Sequence, residues 1–101
     1  MKIIVCLFVL LSFFLPGAEA AEVKVVAESA YQWTGLAISR ENRMFVCYPT
    51  WRKYPEYKVA ELQNGQAVPF PNLDRAKAFL CVQSVYVDKD NFLWILDTGK
   101  P

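Results

Sequence analysis

The sequence predicts an all-β chain that forms the opening of a β-propeller, with fewer than two blades present. Three observations predict it. A block occurs twice at a spacing of 49 residues, first from Gly35 to Tyr48 and again from Ser84 to Asp97, and each copy reads strand, polar turn, strand. Ile38 matches Val87, Ser39 matches Asp88, Arg40 matches Lys89, Glu41 matches Asp90 and Asn42 matches Asn91. Met44, Phe45 and Val46 match Leu93, Trp94 and Ile95. A period near fifty residues with hairpin units is the mark of a propeller blade, and such rings close with about four to eight blades. The second observation is Asn64-Gly65 between two strand-like runs, a signal for a tight hairpin turn. The third is Phe92–Leu96, apolar at every position, which predicts a strand covered on both faces as a blade between two others would be.

The elements follow in order. Residues 1–20 read as a secretory signal peptide. Lys2 gives a basic start, Ile3–Leu15 an apolar run broken by Ser12, and Ala18-Glu19-Ala20 a cleavage site. That run is shorter than the roughly twenty residues a spanning helix needs. The mature chain is therefore expected to be secreted, or periplasmic in a bacterium, and free of the membrane. Glu22–Ala27 is valine-rich and reads as a strand. Gly35–Ile38 and Met44–Cys47 flank a turn at Ser39–Arg43, and Tyr48–Tyr57 is a loop rich in proline and aromatics. Lys58–Gln63 and Gln66–Phe70 flank the Asn64-Gly65 turn, with Pro69 placing the second of them at an edge. Asn72 caps a short helix over Leu73–Phe79. Val82–Val87, a turn at Asp88–Asn91 and Phe92–Leu96 complete the pattern.

Composition excludes some functions. The net charge is +1 and the basic residues form no block, which argues against nucleic acid or an anionic surface as partner. The chain has no histidine, so histidine catalysis and histidine metal sites are excluded within it. Cys47 and Cys81 remain after signal cleavage. In a secreted setting they are either a disulfide, stabilising by about 3–4 kcal/mol, or two buried thiols, and the sequence leaves both open. A chain this small has a thin stability margin. Further blades, or association with other copies, are expected to complete the ring.

Several strings carry a resemblance. Tyr31-Gln-Trp-Thr-Gly-Leu-Ala-Ile-Ser39, Arg43-Met-Phe-Val46 and Tyr48-Pro-Thr-Trp51 come first. Tyr57-Lys-Val-Ala-Glu-Leu62, Val68-Pro-Phe-Pro71, Val82-Gln-Ser-Val-Tyr-Val-Asp88 and Leu93-Trp-Ile-Leu-Asp-Thr-Gly99 follow in order. Together they resemble the N-terminal part of the Yellow/major royal jelly protein family. The resemblance implies a secreted six-bladed propeller of which this chain is a fragment. Members bind small amines, act on dopachrome, or are nutritive. It implies fold more firmly than function.

Candidate site residues follow from the repeat and from that resemblance. In propellers the start of each innermost strand faces the central channel, and Thr34 and Gln83 hold equivalent places there. Gluconolactonase-like propellers place metal-binding Glu and Asn nearby, whereas the hydroxyl and amide here include no anionic ligand of the kind a calcium site collects, so no metal and no cofactor is expected from this chain. The alternative role of Thr34 and Gln83 is to satisfy backbone groups at strand ends. Trp51, in an aromatic loop with Arg52 and Lys53, offers a face for an amine or sugar, or simply packs its loop. Asp97-Thr-Gly99 resembles an aspartic protease motif, but that chemistry needs a second carboxylate in a cleft. Asp97 is expected to make the turn out of its strand, and is kept as a candidate pocket residue. Asp88-Lys-Asp-Asn91 reads as a solvated turn, lacking the glycine and distal glutamate of a calcium loop. The leading expectation is small-molecule, amine-like binding in the complete ring. The alternatives are a dopachrome isomerase-like or lactonase-like enzyme and a nutritive or structural protein.

Overall fold

Among the described residues, six strands and one helix follow in the order β1 (Gly35–Ile38), β2 (Met44–Cys47), β3 (Val59–Gln63), β4 (Gln66–Pro69), α1 (Leu73–Ala78), β5 (Val82–Val87) and β6 (Leu93–Asp97). The computed structural model describes residues 21–100, so the signal peptide expected at 1–20 lies outside the described residues. The described residues are all-β apart from this short helix. β1 to β4 form a four-stranded antiparallel meander, and β5 and β6 form a separate antiparallel pair.

Local chemistry accounts for the turns. Asn64 and Gly65 both have positive φ, at 52° and 78°, so the β3–β4 connection is the tight turn that pair favours, with Gln63 facing Gln66. The repeated block builds the same turn twice. Asn42 and Asn91 take φ of 61° and 67°, a left-handed position that asparagine tolerates. In the first turn Asn42 N donates to Ser39 O and Arg43 N donates to Ser39 Oγ; in the second Asn91 N donates to Asp88 O and Phe92 N donates to Asp88 Oδ1. Asn72 caps α1 by accepting from Arg75 N at 2.9 Å. The helix stops at Ala78, one residue earlier than expected, because Phe79 turns to extended backbone and packs into the core. Its last carbonyls are satisfied by Lys58, whose N donates to Ala76 O and whose Nζ donates to Lys77 O.

The two sheets meet face to face. Ala37, Cys47 and Val59 of the meander pack against Val82 and Val85, with Val87, Leu93 and Ile95 behind them. A second cluster of Val46, Tyr48 and Ala60 lies on the other face of the meander under Tyr31, Trp33 and Tyr57. Burial of one valine stabilises by about 1.5–3 kcal/mol, against at most about 1 kcal/mol for an exposed ion pair, so this seam outweighs the Arg43–Glu61 bridge on the surface.

Two expectations are corrected. Glu22–Ala27 is not a strand. Val23 and Val25 are 92% and 77% exposed, and the segment passes the β3–β4 turn, where Val26 O lies 3.4 Å from the site of a Cβ on Gly65. Valine propensity makes a strand only where an edge is there to pair with. The Phe92–Leu96 run is displaced by one residue to Leu93–Asp97, and it is covered on one face only: Leu93 and Ile95 turn into the seam while Trp94 and Leu96 are more than half exposed.

Candidate functional site

β1 begins, β2 ends, β5 begins and β6 ends at one end of the seam, opposite the two asparagine turns. Thr34 and Gln83 therefore lie at the same end. The residues that follow them come into close contact, since a Cβ on Gly35 would lie 3.4 Å from Ser84 Cα. Neither side chain is committed to a strand-end backbone group. Thr34 Oγ1 lies 3.4 Å from Cys47 Sγ, and Gln83 Nε2 donates to Cys81 Sγ at 3.2 Å.

Cys47 and Cys81 are free thiols, both wholly buried. Of the two states left open by the sequence, the structure has the unbonded one, with each sulfur held by a different polar partner. Their environments differ. Burial pushes the Cys47 thiol up, with Thr34 and two backbone groups opposing only in part. The Cys81 thiol is pulled below its ordinary value, first by hydrogen bonding with the Thr50 hydroxyl and backbone, then by Thr98 and Gln83, against burial. Sequence reading missed this role of Thr50 and Thr98, since nothing in a lone threonine marks it as a thiol partner.

Asp97 makes the turn, as expected. Its carboxylate accepts from Leu80 N at 2.8 Å, Cys81 N at 2.9 Å and Gly99 N at 2.9 Å. Burial works to raise its carboxyl, but the three N–H groups together, with Lys58 adding, hold it below the usual carboxylate range. An anion with three backbone donors is a brace. It ties the entry of β5 to the exit of β6 and positions Cys81.

Trp51 stands apart from the other three. It is 45% exposed in the loop after β2. The rest of the aromatic loop divides in two. Tyr48 is buried and packs edge-to-face with Tyr31 and Tyr57, at centroid distances of 6.3 and 5.7 Å. Tyr54 remains exposed under the Lys58 ammonium, 5.8 Å from its centroid. A cavity of about 460 Å³ opens beside the tyrosines, lined also by Glu28, Ser29 and Gln66, and none of the four candidate residues borders it. The Asp88 turn is a hydrogen-bonded turn. Its carboxylate accepts from Asp90 N, Phe92 N and Trp94 Nε1, and these bonds, the indole first, lower its pKa.

Among the described residues no three His, Cys, Asp or Glu side chains gather in a group that could hold a metal ion, and no helix is long and apolar enough to cross a membrane. Comparison with protein-family models, with curated proteins and with solved structures finds no match to this chain.

Proposed function

We propose that this chain is the opening of a secreted β-propeller of the Yellow/major royal jelly type, and that the complete ring binds a small amine-like molecule in its channel. One observation carries the reading: the repeated hairpin. The β1–β2 and β5–β6 pairs carry the same turn, stand face to face, and bring their first strands together at one end. A four-stranded meander followed by the first two strands of a second unit is what successive propeller blades require. The sequence strings from Tyr31 to Gly99 add the family resemblance. Thr34 and Gln83 then stand at equivalent points on the channel rim, with a hydroxyl and an amide to orient a polar ligand.

Binding fits these groups better than catalysis. The strongest carboxylate at this end, Asp97, is engaged by three backbone donors, which leaves it poorly placed to exchange protons with a substrate. The test has two steps. The transcript beyond the Pro101 codon is sequenced, and the longest secreted product is titrated with an aromatic amine while tryptophan fluorescence is followed. Saturable quenching without turnover supports the proposal. Turnover abolished by a chelator would move the protein to the metal-enzyme class, and no binding at millimolar amine would leave a nutritive or structural role.

A further inference from the structure

The two units of the repeat part company at Gln83. In the first unit the register runs without interruption: Gly35 faces Cys47, and Thr34 N continues the ladder by donating to Cys47 O at 3.1 Å. The same pairing recurs in the second unit, where Ser84 faces Leu96. By the repeat, the next pair would be Gln83 with Asp97. Instead Val82 faces Asp97, and Gln83 has no residue opposite it. This is a β-bulge, an extra residue in one strand, a device that re-aims a side chain.

The bulge has its cause at the strand ends. Asp97 accepts from Leu80 N and Cys81 N, and Thr98 N donates to Cys81 O at 3.0 Å. Those bonds fix Asp97-Thr98 against Leu80-Cys81. The stretch from Cys81 to Ser84 then holds one residue more than the strand beside it, and Gln83 takes up the excess.

The side chain folds back along its own strand. Gln83 Nε2 donates to Cys81 Sγ at 3.2 Å, and that cysteine is wholly buried. The Thr50 hydroxyl and backbone bond the same sulfur. An amide carries its donor and its acceptor on one rigid plane. With the nitrogen held by a buried sulfur, the oxygen is the end left over, and among the described residues no hydrogen bond reaches it. Thr34 is not fixed in this way, because its hydroxyl can donate to the Cys47 sulfur or accept from it.

We propose that Gln83 is the specificity-determining residue of the amine site, its amide locked by Cys81 so that a carbonyl oxygen meets the ligand. That oxygen accepts from an N–H, and a charged ammonium is the strongest such donor. Cys81 acts through Gln83 and is a positioning residue. The inference rests on the amine-binding reading and names the group that makes the site choose amines.

The experiment titrates the longest secreted product with phenethylamine and with phenethyl alcohol, which replaces the ammonium by a neutral hydroxyl. The ratio of the two Kd values is the readout. The wild type favours the amine, and Gln83→Leu lowers that preference about tenfold. Gln83→Glu, with an acceptor at the same place, keeps it. Cys81→Ala releases the amide and lowers the preference, and Cys81→Ser, whose oxygen can accept from Nε2, restores it. A merely structural loss would weaken both compounds alike. A second readout needs no ligand: in NMR the Gln83 side-chain amide protons exchange about tenfold more slowly than those of the exposed Gln32, and Cys81→Ala makes the two equal. Two results overturn the assignment and leave amine binding standing. One is a ratio that Gln83→Leu does not change; the other is a Gln83 amide that exchanges as fast as that of Gln32. Failure of both compounds to bind the wild type overturns the amine-binding reading itself, and this assignment with it.

Discussion

Single side chains decide more here than their exposure suggests, and Asp97 is the clearest case. Its carboxylate serves Leu80, Cys81 and Gly99 at once, so Asp97→Ala strands a buried Cys81 N–H and frees the exit of β6. The expected loss is about 2 kcal/mol, read as a lower urea midpoint. The folded-state pKa is depressed, so the contribution is present above the ordinary carboxylate value and is lost as pH falls through the lower folded value. The gap between wild type and variant should close in acid; a gap that persists unchanged to pH 2 would show that the carboxylate's charge is irrelevant. The two left-handed asparagines allow a paired test. Asn42→Gly keeps the turn and alters stability by less than about 0.5 kcal/mol. Asn91→Gly keeps the same φ but loses the bonds to Glu41 and to Arg40 N, which tie one turn to the other. It should therefore cost more than Asn42→Gly in the same thermal melt. Equal effects would mean that the turn-to-turn bonds contribute nothing.

At the scale of elements, the parts written in local chemistry were legible and those that depend on a distant partner were not. β1, β2 and β5 begin and end where periodicity and turn residues put them, and Asn72 caps α1. The repeat proved to be a repeat of turn geometry, down to the φ of Asn42 and Asn91. The failures share one cause. Valine in Glu22–Ala27 and the all-apolar run ending at Leu96 each implied neighbours that the described residues do not supply. The site was less legible than the fold. Thr34, Gln83 and Asp97 do gather at one end, but two of them hold cysteine sulfurs and the third a backbone turn, contacts that no local pattern marks. The β3–β4 turn gives an element-scale prediction. Gly65→Ala meets nothing nearer than Val26 O at 3.4 Å, so the cost is conformational: φ of +78° disfavours any Cβ by about 1 kcal/mol. Gly65→Asn, which tolerates that backbone, should recover part of it in chemical denaturation.

The whole molecule depends on how closely β1 approaches β5, and Gly35 sets that distance. A Cβ there would lie 3.0 Å from Cys47 Sγ and 3.1 Å from Val85 N. The sulfur belongs to a wholly buried side chain and the nitrogen to a neighbouring strand, so neither yields without moving one sheet against the other. Gly35 does not need a left-handed backbone, unlike Gly65; its requirement is space. Gly35→Ala is therefore an overpacking change, costing about 1–3 kcal/mol, or several degrees in Tm for a domain of this size. Its mark is spatial. Amide exchange should quicken at Val82–Val87 and in β1, on both sides of the seam, while the β3–β4 hairpin keeps its protection. Gly65→Ala should give the opposite pattern. If Gly35→Ala leaves exchange in β5 unchanged, the close approach at Gly35 is not what sets the separation of the two sheets.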